Sequence, residues 1–230
     1  DLSSCTHAPS AVRDTRDNAV YYVQRLADGE CWMLENLRLG DTSAISLTSS
    51  NTNITTSWTL PKSGSSCFSS SSCTGTDGST TGTGFTVPAV YHAAKTITTT
   101  GYGPGRNYVG VYYNYCATVA GDPNLCVASN SSDASPDRDI CPKGWKLPTT
   151  TSSNNSPGSY YYLYDTGYKA NQDAFRYALS TPLSGYLNTR IYGQDSYGYF
   201  WSATQRNTSI MYALSVSSGS VNPVNFSNRY

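Results

Sequence analysis

The stretch ICPKGWKLPT, residues 140–149, places a cysteine, two prolines, a glycine and a tryptophan in ten positions of a chain otherwise crowded with Ser, Thr and Tyr. Cys141 is open to three readings: nucleophile, metal ligand or half of a disulfide. A nucleophile needs an adjacent base, usually His, and both histidines, His7 and His92, lie in the N-terminal part of the chain. Zinc sites announce themselves by cysteine pairs about two to four residues apart, whereas the closest pair here is Cys67 and Cys73. No HExxH, GxSxG or P-loop pattern occurs. A disulfide framework outweighs metal or redox chemistry, and seven cysteines spread along the chain point to an oxidising, extracellular or cell-surface location.

Composition agrees. Fifteen basic and fifteen acidic side chains cancel, and charged residues make up only 13% of the chain. There is no net field to attract phosphate backbones, so nucleic acid is not an expected partner. No apolar run reaches the roughly 18 residues that a spanning helix needs, so no membrane-spanning segment is expected. The chain opens on DLSSC without Met or a signal-peptide pattern and reads as a processed product. Twenty tyrosines, against five phenylalanines and four tryptophans, suit recognition surfaces, because Tyr offers apolar area with a hydrogen-bonding tip.

Outward from residues 140–149, the pattern predicts an α+β fold: short antiparallel strands, one or two helices and long disulfide-stapled loops. NAVYYVQRL (18–26) and ECWMLENLRL (30–39) read as a hairpin across Asp28-Gly29. NYVGVYYNYC (107–116) reads as a strand, and AVYHAAKTI (89–97) as a short helix or strand. YKANQDAFRYALS (168–180) carries apolar residues at helical spacing with Asn171 or Asp173 near its start. YGYFWSATQ (197–205), IMYALSVSS (210–218) and SVNPVNF (220–226) read as strands. The whole chain, 1–230, is taken as one domain with a Ser/Thr/Gly-rich insertion at about 41–100.

Asp14, Asp17 and Asp28 near Glu35 are the carboxylates worth weighing for hydrolase chemistry or Ca²⁺. Ion pairing and turn-making outweigh both, so no cofactor and no metal is expected, with Ca²⁺ the minor alternative. Three bridges among seven cysteines can be drawn in many ways, and connectivity does not follow from sequence alone. The pairing adopted is Cys67 with Cys73, Cys5 with Cys31 and Cys116 with Cys126, which leaves Cys141 unpaired.

The series DTRDN, YYVQRLADGECWMLENLRL, GVYYNYCA, ICPKGWKLPT, FRYALSTPLSGYLN and YGYFWSAT, in that order from Asp14 onward, resembles the Fibrobacter succinogenes major paralogous domain family, in particular its Saccharibacteria-type members. The resemblance implies a C-type lectin-like fold related to formylglycine-generating enzymes and a secreted or surface-attached protein. It makes Trp32, Glu35, Asn36, Trp145, Leu147, Pro148 and Trp201 core and turn residues, not a catalytic set. Two departures stand out. The helix that follows LPT in many members is shortened, displaced or absent after TTSSNNSPGSYYYLY. A closing strand like GFSVRC, whose cysteine would partner Cys141, does not follow, so the natural product is expected to extend past Tyr230.

The expected function is non-catalytic: an adhesion module recognising a glycan or a protein on a host or neighbouring cell. Its ligand-binding residues are expected to be Tyr197, Tyr199, Gln205, Arg206, Asn207, Tyr212, Asn222, Asn225 and Asn228. The alternative is a self-assembling homo-oligomer: a subunit of an extracellular filament, pilus or surface coat. An enzyme of the formylglycine-generating type lacks its ligands here: there is no late pair of cysteines and no histidine cluster.

Overall fold

A computed structural model describes residues 5–40, 43–61, 90–92, 111–122, 125, 138–153, 156–187, 191–207 and 210–228. The fold is mixed, mostly antiparallel sheet with a few short helices. Strands β1 (Ser10–Arg13), β2 (Val20–Arg25) and β3 (Cys31–Met33) form the first sheet. The predicted hairpin joins β2 to β3, with Gly29 at φ +84° taking the left-handed turn position that a side chain resists. Alternation along β2 buries Tyr21 and Val23 and exposes Val20 and Tyr22. A disulfide between Cys5 and Cys31, Cα atoms 6.1 Å apart, ties the lead segment to β3 as expected.

The expected insertion begins inside the core instead. β4 (Ile45–Leu47) pairs with β5 (Trp58–Leu60), and Leu47, Ile54 and Leu60 are fully buried against Leu39, Val111, Ala117 and Ile140. Three-residue strands among Ser and Thr give too short an alternation to register as strands. Residues 62–89 and 93–110 lie outside the described residues, and with them the expected Cys67–Cys73 bridge and most of the insertion.

β6 (Val90–His92) pairs antiparallel with β7 (Val111–Tyr113). The predicted 107–116 strand stops there. The side chain of Asn114 accepts a hydrogen bond from the Ala117 amide and caps a helical turn, α1 (Tyr115–Thr118). Beyond residue 150, Ser159 caps α2 (Tyr160–Leu163), a short helix that runs on into a π-helical turn at Tyr164–Tyr168. Asn171 caps α3 (Gln172–Ala178), the helix expected from spacing. β8 (Tyr186–Leu187) and β9 (Ile191–Tyr192) make a small hairpin. The last sheet, order β10-β11-β12, is the three-strand antiparallel run expected from sequence: β10 (Tyr197–Gln205), β11 (Ile210–Ser217) and β12 (Val221–Asn228).

The main core gathers Trp32 of β3 and the adjoining Leu34, Leu163 and Phe175 of the helices with Leu179 capping α3, and Leu214 and Val216 of the last sheet. Residues 140–149 lace these parts together. Asp139 accepts from the Cys141 and Leu147 amides, each at 2.8 Å, and so closes the loop on itself. Gly144, φ +85°, makes the turn in which the Trp145 amide reaches the Pro142 carbonyl. Asn53 clasps the tip by accepting from the Gly144 amide and donating to the Trp145 carbonyl. The Ala203 amide donates to the Pro148 carbonyl at 2.7 Å, docking the loop on β10.

Candidate functional site

Residues directly opposite in an antiparallel sheet share a face. Register places Tyr197 opposite Ser217, Tyr199 opposite Ser215, Ser215 opposite Asn222 and Ala213 opposite Asn225. One end of this face is therefore aromatic on β10 and hydroxyl and amide on β11 and β12. Tyr197 is 48% exposed and Asn222 is exposed, while Asn225 donates to the Ser215 hydroxyl at 2.8 Å. The neighbouring hairpin adds two rings that sequence reasoning did not include. Tyr186, 40% exposed, stacks on Tyr192 at 5.6 Å and meets Tyr199 edge-on at 5.3 Å. Gly185 and Gly198 form a bridge that brings the hairpin against β10. The Gly185 site requires glycine, since its φ is +75° and a Cβ would stand 2.2 Å from the Tyr192 carbonyl oxygen.

The remaining expected ligand-binding residues divide. Arg206 and Asn207 are exposed on the β10–β11 turn, where the Asn207 side chain accepts from the Ile210 amide. Tyr212 is half-buried on β11. The side chain of Asn228 lies outside the described residues. Gln205 is a correction. It is fully buried, its Nε2 donating to the Asn207 carbonyl, so it braces the turn from within and presents nothing to a ligand. The register shift between Trp201 and Gln205 carries it inward, where simple alternation from Tyr197 would not place it.

Cys141 is a free thiol, as the sequence pairing left it. Burial pushes its pKa well above the ordinary thiol value, and the neighbouring Asp139 carboxylate adds to the rise. The thiolate is the reactive form, so the raised pKa disfavours reaction at this half-buried residue. Native protein is expected to alkylate at Cys141 with iodoacetamide at pH 8 more slowly than guanidinium-unfolded protein. Equal rates, read by peptide mass, would contradict this. Cys116 is disulfide-bonded, and its expected partner Cys126 lies outside the described residues.

No family model, no curated protein and no solved structure matches this chain.

The four weighed carboxylates are each occupied by local donors. Asp14 forms a bidentate pair with Arg16, and Asp17 accepts from the Ala19 amide. Asp28 accepts from Trp32 Nε1 at 3.0 Å and from the Gly158 amide at 3.0 Å, joining the hairpin turn to the entrance of α2. Glu35 takes the Tyr22 amide and Arg38. Their partners hold them apart in separate tasks, and no group of three or more potential ligands that could hold a metal ion occurs among the described residues. Nor, among those residues, is any helix long and apolar enough to cross a membrane.

Between the first sheet, the 140–149 loop and β10 lies a cavity of 290 Å³. All seven residues that the family resemblance makes core and turn positions line it, among them Trp32, Trp145 and Trp201. Only Trp32 of the three tryptophans is fully buried; Trp145 and Trp201 are half-buried, so these rings form a wall more than a packed centre. Trp201 Nε1 donates to the Tyr113 carbonyl at 2.8 Å, and the Tyr112 hydroxyl donates to the Ser184 carbonyl, which fixes two of the wall rings.

Proposed function

We propose that this chain is a non-catalytic extracellular binding module of C-type lectin-like architecture, akin to the Fibrobacter succinogenes major paralogous domain family, that recognises a glycan or a protein on another cell. The observation that carries the reading is the tyrosine cluster of Tyr186 and Tyr197, both exposed, with the half-buried Tyr192 and Tyr199, beside Ser215, Ser217 and Asn222. Aromatic faces next to hydroxyl and amide groups suit the apolar faces and hydroxyl edges of sugars, and equally a polar protein surface. The Cys5–Cys31 disulfide supports an oxidising, extracellular location.

A glycan array and a pull-down from cell envelopes, run with the wild type and with Tyr186→Ala and Tyr197→Ala, test the reading. Binding that falls about tenfold or more in both variants is expected, and binding unchanged in both would overturn the site. The alternative is assembly into a filament. β12 forms one edge of the last sheet and carries Pro223, which lacks the N–H that an added strand would use, and this weighs against assembly through that edge. Electron microscopy decides between the two: fibres would favour the filament, and protein monomeric at all concentrations would exclude it.

A further inference from the structure

Trp32 and Trp145 also line a second opening, a groove of 560 Å³ bounded by Arg25 and Glu30 of the first hairpin and by Lys146 of the 140–149 loop. Its walls are braced from behind. Trp32 Nε1 donates to Asp28 at 3.0 Å, and the same carboxylate takes the Gly158 amide at 3.0 Å, so ring and groove wall are fixed to one group. Trp145 is held at both backbone ends: its amide reaches the Pro142 carbonyl at 2.8 Å, and its carbonyl accepts from Asn53 Nδ2 at 2.5 Å. Gly158 also locates the lysine, since a Cβ added there would stand 3.3 Å from Lys146 Cε and 3.5 Å from Nζ. The ammonium therefore sits beside the Gly158 wall of the groove. Trp145 is nevertheless only half-buried, and Glu30 and Lys146 are exposed. Among the described residues, the Trp145 indole N–H, the Lys146 ammonium and the Glu30 carboxylate make no hydrogen bond or ion pair. Arg25 spends one N–H on the Gly29 carbonyl.

The geometry points to a saccharide subsite in this groove, taking one uncharged pyranose ring against Trp145, with its hydroxyls shared among Lys146, Arg25 and Glu30. Size agrees, since small-molecule sites measure roughly 300–1,000 Å³ and this one 560 Å³. The apolar C–H face of a pyranose needs a flat apolar partner, and Trp145 presents one on a braced loop, so little ordering is left to be done on binding. Charge excludes a simple anion site. Glu30 and the nearby Asp28 offset Arg25 and Lys146, so no net field selects phosphate or carboxylate. What remains suits hydroxyl groups, which both give and take: Lys146, Arg25 and the Trp145 N–H donate, and Glu30 accepts. Bonds to the charged groups are the stronger kind. The groove shares no residue with the tyrosine cluster of Tyr186, Tyr192, Tyr197 and Tyr199, so either site can fail without the other.

The test titrates the full chain with the methyl glycosides of glucose, galactose, mannose and N-acetylglucosamine, and with methyl glucuronide as the charged counterpart of the first. Binding is read from the indole N–H resonances of the tryptophans, assigned by single Trp→Phe changes. At least one neutral glycoside is expected to shift the Trp145 resonance with a Kd at or below about 10 mM, and to bind more tightly than the glucuronide. Lys146→Met and Glu30→Gln are each expected to weaken it about tenfold, and Trp145→Leu by at least as much. Lys146 and Glu30 are exposed, so their variants decide even if Trp145→Leu does not fold. Tyr186→Ala and Tyr197→Ala are expected to leave this binding unchanged. No neutral glycoside bound within that limit, tightest binding of the glucuronide, or an affinity unmoved by both Lys146→Met and Glu30→Gln would overturn the proposal. Loss of the shift in the tyrosine variants would also overturn it, and would place the sugar on the tyrosine cluster instead.

Discussion

Arg16→Met is expected to cost about 3–5 kcal/mol of folding stability, read as a lowered urea midpoint with an unchanged slope. The Arg16 and Asp14 side chains are 1% and 2% exposed, with Nη2 2.6 Å from Oδ2. Removing the guanidinium strands a carboxylate in the interior and also deprives the Ile140 carbonyl of its donor at 2.6 Å. That second contact spans 124 residues and anchors the head of the 140–149 loop. The penalty comes from the abandoned charge more than from a lost attraction, so Asp14→Leu combined with Arg16→Met is expected to recover part of it. A loss below about 1 kcal/mol for the single change would contradict the buried-pair assignment.

Phe175→Ala is expected to cost a similar amount, about 3–5 kcal/mol. The ring is completely buried, with Tyr164 and Tyr168 meeting it edge-on at 5.7 Å each. It joins α3 and the π-helical turn to the core containing Leu163 and Leu214. Tyr177 on the same helix is 57% exposed, and its change to Ala is expected to stay within about 0.5 kcal/mol. Comparable losses at the two positions would mean that α3 is oriented differently.

Long, regular patterns were readable in the sequence. The three closing strands run for eight or nine residues each and are rich in strand formers, and α3 announces itself through the Asn171 cap and its spacing. Short elements were not. β4 and β5 span three residues each, and the tyrosines of α2 carry strand propensity that Ser159 overrides by capping a helix. Asn114 likewise ends a strand that Tyr112, Tyr113 and Tyr115 would otherwise extend. Of the candidate site, Tyr197 and Tyr199 were named from sequence because tyrosines on a strand are visible one residue at a time, though Tyr199 is half-buried. Tyr186 and Tyr192 were missed because their approach depends on a bridge between Gly185 and Gly198, a contact between separate elements. Gln205 was misplaced for a local reason, the irregularity in β10 that turns it inward.

The docking of residues 148–150 also has a bearing on biosynthesis. The Pro148 carbonyl accepts from the Ala203 amide, the Thr150 amide reaches the Thr204 hydroxyl, and the Thr150 hydroxyl reaches the Pro223 carbonyl. Thr204 follows Thr150 by 54 residues, so at ribosomal rates of about 5–20 residues per second the loop waits roughly 3 to 11 s for β10. During that interval the first sheet can pair and close its disulfide, yet it has no last sheet to pack against. A nascent chain arrested before Ala203 should therefore remain protease-sensitive in the 140–149 loop, however completely its N-terminal half has formed.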